Sequence, residues 1–140
     1  MSKKNTPIDP SELGKIYSAF DFDAHSLTPD EFAKKMKDKN AVVLDLRRAS
    51  EFKKGHALGA LNLEADASEE RLEALIPSKE KMLLVYCANS FQMTRKLSLT
   101  ATVVPQIHYL GYKNIYFLED TKSFGGQAEE IQKKLSWHKN

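Results

Sequence analysis

Short apolar runs constrain the fold of this chain more than any other feature of its sequence. Residues 41–46 read Ala-Val-Val-Leu-Asp-Leu, residues 81–86 read Lys-Met-Leu-Leu-Val-Tyr, and residues 115–118 read Ile-Tyr-Phe-Leu. Runs of this length and composition are typical of strands that are buried on both faces, as in a parallel sheet. We therefore predict three such strands, and a further short strand over residues 58–63.

Helical patterns separate these runs. Residues 28–31, Thr-Pro-Asp-Glu, combine an N-cap threonine, a proline at the first helical position and the glutamate of a capping box. Ser68 begins a second predicted helix that Pro77 ends, a third covers residues 101–110, and the last follows Gly126. The alternation of helices and buried strands predicts an α/β sandwich with about five mostly parallel strands flanked by helices.

The length of the chain favours a single domain. It has 140 residues, of which 41% are hydrophobic, and this is enough for a core that needs no disulfide or structural metal. Residues 1–26 are expected to form an N-terminal arm that docks through Tyr17, Phe20 and Phe22. Residues 27–140 are expected to form the domain.

The charge pattern bears on partners and on location. The 21 basic and 19 acidic residues give a net charge of +2, and the lysine pairs lie beside acidic residues, so we expect neither nucleic-acid nor membrane binding. No apolar stretch is long enough to span a bilayer, and the first residues lack the apolar core of a secretory signal. A cytoplasmic location is the default expectation, although a mature exported form would have the same sequence.

Cys87, the single cysteine, follows the predicted strand at residues 81–86. At such a strand end, backbone N–H groups and the next helix N-terminus can face the sulfur, and both favour the thiolate, which is the nucleophile. The same donors could bind the oxyanions of thiosulfate, phosphate or arsenate. The alternative is that Cys87 is a small buried hydrophobic residue, and its position by itself leaves both interpretations open.

Several motifs away from the cysteine carry a family resemblance. Residues 43–47 read Val-Leu-Asp-Leu-Arg, Glu51 and Phe52 follow, and residues 55–62 read Gly-His-Ala-Leu-Gly-Ala-Leu-Asn. This series resembles the amino-terminal signature of rhodanese domains. Residues 81–87 resemble the central strand of that family with its catalytic cysteine.

The resemblance covers roughly residues 27–135 and implies both a fold and an activity. The fold is the rhodanese-like three-layer sandwich. The activity is sulfur transfer, in which Cys87 would hold the transferred sulfur as a persulfide. The donor would be a small molecule such as thiosulfate or a persulfide, and the acceptor would be cyanide or a thiol. The resemblance implies no cofactor.

Four polar residues of the signature are expected to support the site structurally. Asp45 and Arg47, at the end of a buried strand, would pair and hold the active-site face together. Glu51 would belong to the same scaffold. His56 precedes a turn and is expected to form hydrogen bonds rather than to act as a base.

The segment after Cys87 departs from the family pattern. It has no glycine and no charged residue before Arg95, and the stretch to Gly111 is longer than the resemblance predicts. Phe91 and Met93 make it apolar, which favours an organic or protein persulfide over a small oxyanion. Arg95 is the expected electrostatic helper. The residues expected to bind the donor are Ala88, Asn89, Ser90, Phe91, Gln92, Met93, Thr94 and Arg95.

Other function classes remain as alternatives. The unusual segment supports a non-catalytic or regulatory binding module that uses Cys87 weakly or not at all, whereas the retention of the cysteine at the end of its strand opposes it. A cysteine phosphatase or arsenate reductase is less well supported, because seven residues rather than five separate Cys87 from the first arginine and no second thiol is present. His25, His108 and His138 show no metal-ligand spacing, so no metal site is expected.

Overall fold

The computed structural model describes residues 10–91, 99–120 and 128–139 of the chain. The helices are α1 (Pro10–Ala19), α2 (Phe22–His25), α3 (Pro29–Lys35), α4 (Ala49–Lys54), α5 (Glu69–Leu75), α6 (Leu99–Tyr109) and α7 (Ala128–Lys134). The strands are β1 (Ser26–Leu27), β2 (Ala41–Asp45), β3 (Gly55–His56), β4 (Leu61–Asn62), β5 (Met82–Tyr86), β6 (Ile115–Leu118) and β7 (His138–Lys139).

A five-stranded sheet in the order β1-β6-β5-β2-β4 forms the centre of the fold, and all of its pairings are parallel. In the register of β2 and β5, Val43 lies opposite Leu84, and on the other side of β5 Val85 lies opposite Phe117. The predicted α/β sandwich with about five parallel strands is therefore confirmed. In this sheet β5, the strand that leads to Cys87, lies between β6 and β2.

The central strand β5 is buried on both faces. Its five residues are all buried, and they alternate between two apolar clusters on opposite sides of the sheet. Leu83 and Val85 pack with Val104 on one side, whereas Leu84 and Tyr86 pack on the other. This alternation explains why the strand is a continuous apolar run in the sequence.

The helix starts follow the local sequence signals. Thr28 accepts a hydrogen bond from the amide of Glu31 at 3.2 Å, and the Glu31 carboxylate accepts one from the amide of Thr28 at 2.9 Å. The predicted capping box of α3 is thus present. Ser68 caps α5 in the same way, with its side chain accepting from the amide of Arg71.

The predicted N-terminal arm contributes regular structure. Helix α1 lies against α6, and Tyr17 Oη donates to the carbonyl oxygen of Thr102 at 2.8 Å. Phe20 and Phe22 pack against the core. Ser26, the last residue of the predicted arm, is already the first residue of the edge strand β1.

Two features of the strand pattern differ from the sequence prediction. The predicted strand over residues 58–63 is wrong in extent, because Gly59 has a φ of +74° and turns the chain, so only Leu61 and Asn62 pair with β2. The antiparallel pair β3–β7 was not predicted. Within the described ranges, no helix is both long enough and apolar enough to cross a membrane.

Candidate active site

Cys87 lies directly after β5, at the carboxyl end of the sheet, and is 1% exposed. It is the N-cap of a 3-10 turn, Ala88–Ser90, and its carbonyl oxygen accepts a hydrogen bond from the Ser90 amide at 3.0 Å. The Ser90 hydroxyl accepts from the Cys87 amide at 3.3 Å and donates to the carbonyl oxygen of Leu118 at 3.2 Å. Ser90 thereby fixes the cysteine to the neighbouring strand β6.

The residues predicted to bind the donor have different surroundings. Asn89, Ser90 and Phe91 are buried, and Phe91 ends the turn with its amide donating to the carbonyl oxygen of Ala88 at 3.1 Å. Ala88 and Phe91 line a cavity at this end of the sheet. Four other predicted residues lie outside the described part of the chain: Gln92, Met93, Thr94 and Arg95.

The cavity lined by Ala88 and Phe91 has a volume of about 880 Å³. It lies where the carboxyl ends of the parallel strands meet the following helices, which is the usual place for ligand sites in such sheets. Its described lining combines apolar and charged side chains. The lining residues are Leu46, Arg47, Arg48, Glu51, Glu64, Ala65, Asp66, Ala88, Phe91, Leu99, Ala128 and Gln132.

Carboxylates outnumber guanidinium groups in the described lining. The lining contains three carboxylates, those of Glu51, Glu64 and Asp66, and two guanidinium groups, those of Arg47 and Arg48. The Glu64 carboxylate also accepts a hydrogen bond at 3.3 Å from the amide at the start of α4. The described walls therefore do not form the positively charged site that a small dianion needs.

A buried polar network lies behind the cavity. The Asp45 carboxylate accepts from Nε of Arg47 at 3.1 Å, from Nη2 of Arg47 at 2.7 Å and from the Tyr86 hydroxyl at 2.7 Å. Nη2 of Arg47 also donates to the carbonyl oxygen of Gly55 at 2.6 Å, and the Tyr86 hydroxyl accepts from the Ala57 amide at 3.0 Å. These bonds tie β2, β3 and β5 together.

The network sets the ionisation of its members. Burial disfavours the charged guanidinium of Arg47, but hydrogen bonds and the negative charge of Asp45 outweigh it, and the pKa of Arg47 rises above its ordinary value. Burial raises the pKa of Tyr86, and the charge of Asp45 raises it further. The phenol therefore stays protonated and remains a hydrogen-bond donor to Asp45.

The other two residues predicted to support the site are less central to it. Glu51 is 56% exposed, with its carboxylate 4.0 Å from Nη1 of Arg47. The His56 ring stacks on Phe52 with centroids 3.9 Å apart, and its Nδ1 lies 2.9 Å from the carbonyl oxygen of Phe52. In the described segments no three His, Cys, Asp or Glu side chains form a group that could hold a metal ion.

Sequence reasoning missed Tyr86 and the long-range contacts of Trp137. Tyr86 carries a signal, because its hydroxyl stands in an otherwise apolar run. Trp137 packs in the apolar cluster of the last helix, and its ring also lies 4.9 Å from the guanidinium carbon of Arg47 and 5.1 Å from the ring of Phe91. It stands 90 positions from Arg47 in the chain, so no local spacing could reveal this contact.

Comparison with known proteins adds a family match. The chain matches the family model of the rhodanese-like domain over residues 28–121. The tRNA uridine(34) hydroxylase of Lactococcus lactis subsp. cremoris is 36% identical over 132 residues, which are 91% of this chain and 36% of that protein. The chain spans about a third of the length of the curated relatives that it matches.

Solved structures show the same fold. The rhodanese-related protein of Thermoplasma volcanium has a TM-score of 0.53 at 24% identity, and the match covers 69% of this chain and 84% of that one. The rhodanese-like domain of the Alr3790 protein from Anabaena sp. has a TM-score of 0.57 at 18% identity, covering 76% and 74%.

Proposed function

This chain belongs to the rhodanese-like domain family, and from that premise we propose that it is an enzyme that transfers sulfane sulfur through a persulfide on Cys87. The observation that carries the proposal is the position of the cysteine. It directly follows the central strand of the sheet, is hydrogen-bonded to Ser90 through both its amide and its carbonyl oxygen, and precedes a residue that lines the cavity, Ala88.

The proposed reaction has two steps, and each is a displacement at sulfur. First the Cys87 thiolate attacks the outer sulfur of a donor persulfide, a Cys87 sulfur–sulfur bond forms, and the donor leaves as its thiolate. An acceptor such as cyanide then attacks the outer sulfur and leaves as thiocyanate, which restores the Cys87 thiolate. No net oxidation occurs and no outside oxidant is needed.

Two features of the cavity support an organic or protein persulfide as the donor rather than thiosulfate. The volume of about 880 Å³ is in the range of pockets that hold drug-sized ligands and far exceeds a five-atom anion. The carboxylates of Glu51, Glu64 and Asp66 would repel a small dianion. A larger donor can place its sulfane sulfur near Cys87 while its remaining atoms fill the cavity.

Intact-mass spectrometry after incubation with each donor tests the proposal. We expect glutathione persulfide to add one sulfur atom, about 32 Da, to the protein, and cyanide to remove it. Thiosulfate should load the protein more slowly. Cys87→Ser is the matched control and should remain unloaded. If neither donor adds sulfur to a folded protein, the sulfurtransferase proposal is wrong.

A second candidate function is a rhodanese-like module that binds a partner without transferring sulfur. The specific observation in its favour is the burial of Cys87, which is 1% exposed. For this function the fold and the cavity would matter but the thiol would not. It predicts that Cys87→Ser retains every cellular function of the protein, whereas sulfur transfer predicts that the variant is inactive.

The name of the curated relatives refers to hydroxylation of uridine 34 in tRNA, and it belongs to proteins about three times as long as this chain. We propose that this chain alone does not bind tRNA, because a net charge of +2 offers little of the phosphate neutralisation that drives such binding. Filter binding to bulk tRNA at low salt tests this, and salt-dependent retention would contradict it.

A further inference from the structure

Trp137 contacts two residues of the cavity wall but does not itself line the cavity. Its ring lies 4.9 Å from the guanidinium carbon of Arg47, within the range of a cation–π interaction, and 5.1 Å from the Phe91 ring in an edge-to-face arrangement. Arg47 and Phe91 both line the cavity. Trp137 therefore holds one wall of the candidate site although it is not itself part of that wall.

The backbone around Trp137 is shaped to bring the indole to this position. Ser136 has a φ of +54°, a conformation that non-glycine residues seldom adopt, and it turns the chain sharply after α7. The next residues, His138 and Lys139, pair with His56 and Gly55. The chain thus returns across the sheet end directly after the helix.

Gly55 provides the space for the indole. A Cβ atom on this residue would lie 2.5 Å from Nε1 of Trp137 and 3.2 Å from the carbonyl oxygen of His138. The φ of Gly55 is 168°, an extended conformation that any residue can adopt. Contact with Trp137 and its strand, rather than backbone geometry, is what a side chain at position 55 would disturb.

Phe91 links Trp137 to the cysteine. It ends the short turn that begins at Cys87, and its ring packs against those of Tyr86 and Trp137, with centroids 5.3 and 5.1 Å away, while the Tyr86 and Trp137 rings lie 5.9 Å from each other. Without the indole, one side of the Phe91 ring loses its neighbour, and the end of the turn is less firmly held. Cys87 begins that turn, and its amide and its carbonyl oxygen are both hydrogen-bonded to Ser90. Loosening the turn therefore displaces the cysteine together with its sulfur.

We propose that Trp137 is a positioning residue for the reaction at Cys87. It acts through Phe91 on the turn that holds the sulfur and through Arg47 on the cavity wall. This inference rests on the proposed sulfur transfer for its functional meaning. Its structural content, the control of Cys87 by a residue 50 positions later in the chain, can be tested without any sulfur donor.

The test compares Trp137→Ala, Trp137→Phe and Gly55→Ala with the unmodified protein, and Cys87 alkylation by iodoacetamide is the first readout. We expect Trp137→Ala to raise the alkylation rate about tenfold, because the turn opens more often. Trp137→Phe, which keeps an aromatic ring, should restore the rate to within about threefold. Gly55→Ala should reproduce the effect of Trp137→Ala although the tryptophan is still present.

Steady-state sulfur transfer from glutathione persulfide to cyanide is the second readout. Trp137→Ala should lower kcat about tenfold, with a smaller change in KM, because the sulfur rather than donor binding is displaced. Trp137→Phe should recover most of kcat. If Trp137 had a purely structural role, Trp137→Ala would lower the thermal stability of the protein but would leave kcat per folded molecule unchanged.

Phe20→Ala is the matched control, since Phe20 is an aromatic residue that packs with His25 and His108 in another part of the fold. It should lower thermal stability but leave alkylation at the unmodified rate. If Trp137→Ala does not fold, Gly55→Ala decides the question. Alkylation within about twofold of the unmodified rate in Trp137→Ala, or in Gly55→Ala where Trp137→Ala does not fold, overturns the proposal. If no donor loads the unmodified protein with sulfur, the sulfurtransferase function is contradicted. The alkylation rates of the variants still decide whether Trp137 positions Cys87.

Discussion

The guanidinium of Arg47 binds the carboxylate of Asp45 through both Nε and Nη2, at 3.1 and 2.7 Å, and the backbone amide of Arg47 donates to the same carboxylate at 2.8 Å. Asp45 is fully buried and Arg47 is 9% exposed. The pair closes the end of β2 at the floor of the candidate site. Its two charges are removed from water together, so each depends on the other.

Asp45→Asn is expected to lower the free energy of unfolding by about 3–5 kcal/mol, because it leaves the Arg47 charge buried without its counter-ion. Urea unfolding followed by circular dichroism measures the change. Glu51→Gln is the control, since Glu51 is 56% exposed and 4.0 Å from Arg47, and it should cost no more than about 1 kcal/mol. Equal losses in the two variants would show that burial of the Asp45 pair does not matter.

Ser90→Ala removes the hydrogen bonds that join the Cys87 amide to the carbonyl oxygen of Leu118. Since these groups lie inside the protein, we expect a loss of about 1–3 kcal/mol in unfolding free energy. Loading of Cys87 by glutathione persulfide should also become slower, because the turn holds the sulfur less firmly. Unfolding curves and intact-mass time courses measure the two effects.

Ser78→Ala serves as the comparison for that variant. Its hydroxyl accepts from the Glu80 amide at 3.4 Å on the exposed surface, and its removal should change neither stability nor loading by a measurable amount. Unchanged loading in Ser90→Ala would show that the turn can move without consequence for Cys87.

Much of the fold could be predicted from local sequence patterns, because buried strands of five residues and capped helices are recognisable in the sequence. The strands at residues 41–45 and 82–86 have such patterns, whereas β1 and β7 do not. They are two residues long and exist only through pairing with distant strands. The prediction also assigned residues to a strand wrongly. It placed Leu58 in the strand over residues 58–63, although this residue lies outside β4 and is 62% exposed.

The candidate site likewise contains residues that the sequence identifies and residues that only the fold brings together. Cys87, Asp45 and Arg47 stand in motifs that a reader of the sequence can find. The other described walls of the cavity come from three further parts of the chain, residues 64–66, Leu99 and residues 128–132, and only folding brings them together. Trp137 has the clearest long-range role, because its contacts with Arg47 and Phe91 cross most of the chain.

Donor choice should follow the charge of the cavity rim. Glu64→Gln keeps the hydrogen-bond acceptor at the start of α4 but removes a negative charge. We expect kcat/KM for thiosulfate, relative to kcat/KM for a neutral persulfide, to rise about threefold. The effect is modest because the repulsion between a partly exposed carboxylate and the thiosulfate dianion is weakened by water. The gain should shrink as salt is raised.

Arg95→Ala makes the opposite change in charge, because it removes a positive charge. Arg95 is the electrostatic helper that the sequence predicts, and it lies outside the described residues. Glu129→Gln, on the exposed start of α7, is the neutral control. If Arg95→Ala changes donor choice while Glu64→Gln does not, the described carboxylates do not govern the site.

The pH dependence of stability is expected to reflect His108. Its ring lies 5.2 Å from that of His25 and 5.3 Å from that of Phe20, where α1 and α2 pack against α6. Burial lowers the pKa of His108 below its ordinary value of 6.5, and the charges of Lys113 and His25 lower it further. The folded state thus favours the neutral imidazole.

Because the unfolded chain takes up the His108 proton at a higher pH than the folded chain, stability is highest above about pH 6.5 and falls as the pH decreases toward the folded pKa. His108→Asn removes this proton uptake, so its melting temperature should fall less between pH 7 and pH 5 than that of the unmodified protein. Differential scanning fluorimetry across this pH range measures both proteins, and equal slopes for His108→Asn and the unmodified protein would assign the pH dependence to other groups.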